Sequence, residues 1–381
     1  MRIAIDCRDM LGAHAGAYAG VSHYVDGITR ALLRNGSAHA FSLFFRADVP
    51  RALIEQLAAN ANVDIHLLPM RRGSFYVSHI RTASLMRAVR ADILFAPAGQ
   101  LPFGWRGKSV LTAHDLAIYS YPEWFPEQTI GQIFSTRVIV PASFRKASGI
   151  IAVSQATKQE VIQTFRLPEE CIRVIPEAVS VPSTIAPLSA DDGQRFGIRG
   201  RYLLTLGTIE PRKNFVLLIE AFLRWREQHP HEAGAVQLVI AGRRGWRTEA
   251  FSDALELAQR RHGNAIVELG YVTDAQKWSL LKGAEAFVYP SLYEGFGLPV
   301  LEAMTIGTPV ITTRQGAIPE VGGDAVRYVS AEDPEEFALA LHDLAAHPEA
   351  RSTLAELGHE RARAFSWDAA AKQTLAYFES L

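Results

Sequence analysis

The chain has 381 residues, 48% apolar and 21% charged, which is enough for two domains and too evenly punctuated by charge for a disordered or membrane-spanning protein. Its two cysteines, Cys7 and Cys171, stand in no metal or redox spacing, which excludes a disulfide framework and a cysteine zinc site. The net charge of −1 conceals an asymmetry: residues 1–176 carry 19 Lys+Arg against 13 Asp+Glu, and residues 177–381 carry 20 against 27.

Charge comes too early in Met1-Arg2-Ile3-Ala4-Ile5-Asp6-Cys7-Arg8 for a secretory signal, so the expected setting is the cytoplasm. Short apolar runs then alternate with longer amphipathic ones. In the first half, strands are predicted over 2–6, 40–45, 63–67, 93–96, 109–113, 150–153 and 172–175. Helices are predicted between them, for example over 21–34, 77–89, 129–146 and 155–165, the last capped by Ser154. Gly12, Gly16 and Gly20 precede the first helix, and their spacing by four is not the dinucleotide GxGxxG fingerprint. From Arg71 to Lys108 the basic residues are Arg71, Arg72, Arg81, Arg87, Arg90, Arg106 and Lys108, with Asp92 the one acid. Such a run suits an anionic partner or an ordinary solvated face.

Residues 176–200 are rich in turn formers and lack a sustained period, as expected of an interdomain linker. Strands resume over 202–206, 237–241, 265–269, 286–289, 309–313 and 325–328. Asn214 is placed to cap a helix over 215–228, and Thr273 with Gln276 forms a capping box for a helix to about Lys282. Pro299 stands where a helix start tolerates proline. Strands alternating with helices make βαβ units, hence two α/β domains with parallel sheets. In such sheets ligands bind beyond the carboxyl ends of the strands.

Those ends carry the chemistry. After 202–206 come Gly207-Thr208-Ile209-Glu210-Pro211-Arg212-Lys213-Asn214, a glycine turn and two cations before a helix, suited to a diphosphate or to a plain surface loop. After 286–289 come Pro290-Ser291-Leu292-Tyr293-Glu294-Gly295-Phe296-Gly297-Leu298-Pro299-Val300-Leu301-Glu302. Were that run wholly helical, Glu294 and Glu302 would lie ~12 Å apart. That is far beyond the ~5–5.5 Å of a retaining glycosidase pair, and two carboxylates meeting opposite ends of one ligand fit better. Strand 109–113 delivers His114-Asp115.

The runs 206–214 and 289–304 closely resemble the retaining family-four nucleotide-sugar glycosyltransferases, whose signature is two glutamates with seven residues between them. The resemblance implies the GT-B fold, two Rossmann-like domains with parallel sheets facing a cleft. It implies an acceptor-binding domain over 1–176, to which a final helix over 367–381 returns, and a nucleotide-sugar-binding domain over 177–366. Arg212 and Lys213 would hold the diphosphate, Glu302 the ribose, and Glu294 the donor sugar. Phe296, Gly297 and Leu298 would offer backbone N–H groups, and Val272 would lie near the base. Gly207 would let the backbone turn at the phosphates, Gly20 would approach them from the other domain, and His114 would touch the sugar near its reacting carbon.

The same resemblance implies a hexosyltransferase that retains configuration by front-face attack and needs neither metal nor cofactor beyond the donor. Its opening loop, His114-Asp115-Leu116 and Pro122-Glu123-Trp124-Phe125 are similar to bacterial mannosyl- and rhamnosyltransferases of polysaccharide assembly. A GDP-linked mannose or D-rhamnose donor is therefore expected, with a lipid-linked oligosaccharide acceptor of the O-antigen or exopolysaccharide type. The Arg71–Lys108 segment would contact anionic lipid at the inner face of the membrane, and no nucleic acid is expected. Four positions depart from the pattern: Thr208 and His23, where many relatives have arginine, and Glu177-Ala178, where relatives often have Asn-Gly. A GT-B nucleotide-sugar epimerase and a non-catalytic sugar-nucleotide-binding protein are the alternatives.

Overall fold

The computed structural model describes residues 1–10, 20–68 and 76–381, so Gly12, Gly16, Arg71 and Arg72 lie outside the described residues. The chain divides into two compact units. The first comprises Met1–Leu116, Glu127–Ala178 and Phe365–Leu381, and the second Ala117–Pro126 and Val179–Ala364.

The first unit is built on seven parallel strands, β1 (Arg2–Asp6), β2 (Ala40–Arg46), β3 (Val63–Leu68), β4 (Ile93–Ala96), β5 (Ser109–Ala113), β6 (Gly149–Ala152) and β7 (Ile172–Val174). They run in the order β3-β2-β1-β4-β5-β6-β7. Helical crossovers cover both faces of such a sheet, which is why Ile93–Ala96 and Ser109–Ala113 are buried at every position. Helix Gly20–Asn35 turns Tyr24, Val25, Ile28, Ala31 and Leu32 inward at helical spacing. It packs against helix Trp367–Ser380 so closely that a Cβ on Gly27 would stand 2.3 Å from the Trp367 ring.

The second unit carries six parallel strands, β8 (Arg201–Leu206), β9 (Val236–Ala241), β10 (Ile266–Gly270), β11 (Ala286–Tyr289), β12 (Val310–Thr312) and β13 (Arg327–Tyr328). Their order is β10-β9-β8-β11-β12-β13. Phe215, Leu218, Ile219, Phe222 and Trp225 of helix Phe215–Gln228 join Phe337 and Leu341 in its core. The short segment Ala117–Pro126 belongs here through aromatic contacts: Trp246 Nε1 donates to the Trp124 carbonyl at 2.8 Å, and the Phe125 and Trp246 rings stack.

The thirteen predicted strands are all present, with ends shifted by no more than two residues. Ser154 and Thr273 cap their helices as their positions suggest. Three expectations need correction. Asn214 is not a side-chain cap: at φ 56° it lies in the left-handed region, and its amide donates to the Ala331 carbonyl at 2.9 Å. A cap needs an extended backbone to bring its oxygen onto the first turn, and the tight turn Pro211–Lys213 withholds that conformation. The linker contains a helix, Ala190–Phe196, capped by Ser189 and closed by Gly197 at φ 71°. The helix over 129–146 is widened into a π-turn at Ser135–Ile139, just before Pro141, whose ring clashes with an α-helical carbonyl four residues back and which has no N–H to give.

Candidate active site

The ends of β8, β9 and β10 are drawn together by glycine. Gly207 donates its N–H to the Ala241 carbonyl at 3.0 Å, and Gly242 donates to the Gly270 carbonyl at 2.8 Å. Gly242 has φ 148°, and a Cβ there would lie 1.8 Å from the Gly207 carbonyl oxygen. The turn at Gly207, φ 150°, then sends the chain into Arg212 and Lys213.

There the second unit assembles a buried charge cluster. Lys213 Nζ lies 2.5 Å from Glu294 Oε1, which also accepts from the Tyr289 hydroxyl at 2.8 Å and the Ser291 hydroxyl at 2.6 Å. Arg212 approaches Glu294 Oε2 at 3.5 Å, pairs with Glu210 at 3.0 Å and donates to the Tyr293 carbonyl at 3.2 Å. The loop is pinned behind: the Leu292 N–H donates to the Arg212 carbonyl, and the Ala317 N–H to the Glu294 carbonyl, both at 2.8 Å. Burial pushes the Glu294 carboxyl up, but Lys213, then Arg212 and the Ser291 hydroxyl, outweigh it and hold the pKa down at about 2. Burial draws the Lys213 ammonium below its ordinary range despite Glu294. It also drives the Tyr289 phenol well above its own, so this hydroxyl stays a donor.

Glu302 forms a second cluster. It stands in helix Leu298–Thr305, which begins after Gly297 at φ 104°, and accepts from Lys277 Nζ at 2.6 Å. Lys277 also meets Asp274 at 3.0 Å; burial lowers its pKa, but the two carboxylates raise it further. Since Gly297 breaks the path from Glu294, the fully helical spacing does not apply. In the first unit, His114 follows β5 with Nδ1 2.9 Å from Glu177 Oε1 and Nε2 2.7 Å from the Pro97 carbonyl oxygen.

Comparison with known proteins decides what kind of protein carries these clusters. Residues 194–361 match the model "Glycosyl transferases group 1", and residues 18–181 match "Glycosyltransferase Family 4". The O-antigen chain mannosyltransferase B of Escherichia coli is 30% identical over 310 residues, covering 79% of this chain and 77% of that one. The chain belongs to the family-four glycosyltransferases. The MMP alpha-(1->4)-mannosyltransferase of Mycolicibacterium hassiacum is 30% identical over 239 residues, or 62% of this chain and 54% of that protein. Anabaena HepE in complex with UDP and glucose superposes with a TM-score of 0.71 at 21% identity over 100% of both chains. Sucrose-phosphate synthase from Thermosynechococcus elongatus does so at 0.72 and 19%, covering 100% of this chain and 98% of that one. These likenesses establish the fold of the glycosyltransferase as GT-B.

Of the residues singled out in the sequence, Arg212, Lys213 and Glu294 converge in one cluster, with Gly207 beside them. Phe296 is buried and Gly297 and Leu298 open the helix bearing Glu302, while Val272 is half-buried between β10 and helix Asp274–Gly283. Gly20, the first residue of its helix, and His114 belong to the other unit. Sequence reasoning missed Tyr289, Ser291, Glu210, Lys277 and Glu177 as partners. A tyrosine closing an apolar strand is read as core, and Lys277 is read as a helix surface. Among the described residues, no group of three or more His, Cys, Asp or Glu side chains gathers as a metal site would require. Nor, among them, is any helix long and apolar enough to cross a membrane.

Proposed function

We propose that this glycosyltransferase moves mannose, or its 6-deoxy relative D-rhamnose, from a GDP-sugar onto a lipid-linked glycan with retention of configuration. The observation that carries the reading is the Arg212–Lys213–Glu294 cluster at the carboxyl ends of the second sheet, in a chain whose relatives are named mannosyltransferases. Departure of the sugar leaves charge on the diphosphate and oxocarbenium character on the sugar. Arg212 and Lys213 supply fixed positive charge for the former, so no metal is required in this mechanism. Glu302 accepts from the ribose hydroxyls, and Val272 lies at the base. Phe296, Gly297 and Leu298 present backbone N–H groups to sugar and phosphate.

Glu294 orients the donor sugar. A carboxylate held down at about 2 whose Oε1 faces three donors is a poor nucleophile, which favours front-face attack over a covalent intermediate. The acceptor hydroxyl then loses its proton to the leaving phosphate. Gly20 and His114 are the residues of the first unit that the family resemblance assigns to the donor, and the first unit takes the acceptor.

The acceptor's lipid would lie against exposed Arg81, Arg87 and Arg106, with Ile130, Ile133, Phe134 and Val138, which recur exposed at helical spacing in the same unit. Besides burial, Arg106 and Arg87 lower the pKa of Lys146, so these cations sit close together. The deciding experiment is a thermal-shift screen against GDP, UDP and ADP and their sugars, followed by product anomer assignment by NMR. GDP-mannose is expected to stabilise most and to give an α-linked product. Preference for UDP or ADP would sink the donor assignment, a β-linked product would sink retention, and donor epimerised without acceptor would replace transfer.

A further inference from the structure

Glu177, just after β7, reaches across β6, which separates β5 from β7, to His114. We propose that Glu177 is a positioning residue of the transfer reaction, clamping His114 together with the Pro97 carbonyl so that the ring meets the donor as one half of a fixed imidazolium–carboxylate pair, without net charge against the sugar's oxocarbenium character, and not as a base. The inference rests on the reading that His114 touches the donor sugar.

The geometry carries it. Both ring nitrogens face oxygens that only accept, Glu177 Oε1 at 2.9 Å and the Pro97 carbonyl at 2.7 Å. A neutral imidazole has one N–H, so one nitrogen lone pair would point at an oxygen lone pair. Protonating both nitrogens satisfies both contacts, and leaves neither nitrogen free to take a proton from an acceptor hydroxyl.

Burial argues the same way. Glu177 is 3% exposed, and its Oε2 has no hydrogen-bond partner among the described residues. A carboxylate so placed is sustained by an adjacent countercharge. Among the described residues, the charged groups that act most on the ring, Glu177 and Asp115, are both acidic. Burial pulls the ring toward neutrality, yet the bond to Glu177 and its charge outweigh it and raise the pKa. The third side is closed by Tyr24, whose ring meets the imidazole edge-on at 4.7 Å while its hydroxyl lies 3.1 Å from Thr112 Oγ1. Thr157, from helix Gln155–Phe165, donates to the His114 carbonyl at 3.3 Å. His114 thus stands immobilised at the carboxyl end of a central strand, where open parallel sheets take their ligands.

The test uses the full-length enzyme with 15N-labelled histidine. Ring shifts of His114 are followed from pH 5.5 to 9 in the wild type, Glu177→Gln and Glu177→Asp. In parallel, kcat is measured for GDP-mannose with octyl α-mannoside as acceptor. Both wild-type nitrogens are expected to stay protonated at pH 7, and Glu177→Gln to lose one proton at lower pH. Its kcat should fall about tenfold or more between pH 6 and 8 as the ring loses its proton within that window, while the wild type stays level over that range. Glu177→Asp should recover part of that loss, and the calorimetric affinity for GDP should stay within about twofold in every variant, since Arg212 and Lys213 are untouched. A bare ring nitrogen in the wild type at pH 7, or a Glu177→Gln profile overlaying the wild type, overturns the proposal. Should Glu177→Gln not fold, the wild-type spectrum and Glu177→Asp still decide. A protein that turns over no nucleotide sugar yet shows the doubly protonated ring would sink the transferase reading and leave the clamp standing.

Discussion

Gly242 and Gly207 meet so closely that a Cβ on the first would overlap the carbonyl oxygen of the second, at 1.8 Å. Neither backbone can yield, since Gly242 also donates to Gly270 and Gly207 to Ala241. Gly242→Ala should therefore cost more than about 2 kcal/mol and weaken nucleotide binding by displacing the turn that leads to Arg212. Gly131→Ala, where nothing lies within 4 Å of the new methyl, should instead gain about 0.4–1 kcal/mol. Urea unfolding of both variants, with GDP calorimetry, checks the contrast.

Removing one partner of the buried ion pair should cost more than neutralising the other. Lys213→Met leaves Glu294 buried with two hydroxyl donors and a longer approach from Arg212, at 3.5 Å, an expected loss of about 3–5 kcal/mol. Glu294→Gln keeps an oxygen for those donors and should lose only about 1–3 kcal/mol. Each should lower transfer at least about a hundredfold. A double mutant no worse than Lys213→Met would show the coupling directly; strict additivity would refute it.

Acid should expose the same carboxylate. Glu294 titrates lower folded, at about 2, than its ordinary 4.5, so its contribution is complete above 4.5 and is lost as the pH falls toward 2. His114 has the opposite sign. Its folded pKa is raised above 6.5, so its contribution is complete below 6.5 and is lost as the pH rises through the folded value. Urea midpoints of Glu294→Gln should converge on the wild type on acidification, and those of His114→Asn on alkalinisation. Curves that stay parallel across the range would contradict both assignments.

If Glu302 reads the ribose, its effect should vanish when the ribose hydroxyls do. Glu302→Gln is expected to weaken GDP binding about tenfold to a hundredfold, as loss of a charge-assisted hydrogen bond does, but to leave 2′,3′-dideoxy-GDP binding unchanged. An equal loss for both nucleotides would assign Glu302 to the Lys277 contact alone.

Membrane docking should need both charge and apolar contact. Replacing Arg71, Arg72, Arg81 and Arg87 is expected to reduce co-sedimentation with vesicles containing phosphatidylglycerol, each cation near the surface adding about 1 kcal/mol. Phe134→Asp should reduce it further, since this ring is 44% exposed. Binding indifferent to all five changes would return the segment to a solvated face.

The alternation of apolar strands and amphipathic helices made both sheets legible, because parallel strands covered on two faces leave a run such as Ala286–Tyr289 buried at every position. Arg212, Lys213 and Glu294 were legible as members of a site through their places after strands. Their partners were not. Tyr289 looks like core until Lys213 folds back 76 residues in sequence to reach its hydroxyl. Glu177 looks like a junction residue until β7 is laid beside β6. Asn214 misled because a cap is recognised by residue type, whereas what decides it is the backbone angle that the preceding turn imposes. Long-range pairing and local φ are the quantities a one-dimensional pattern does not carry.

Because helix Trp367–Ser380 belongs to the first unit and packs its tryptophan into the groove at Gly27, that unit is incomplete until this helix has been synthesised. At ~5–20 residues per second, the ribosome takes roughly ten to forty seconds to make everything between Ala178 and that helix. Throughout that interval the groove at Gly27 faces water or a chaperone, and the nascent polypeptide can finish its second lobe before its first.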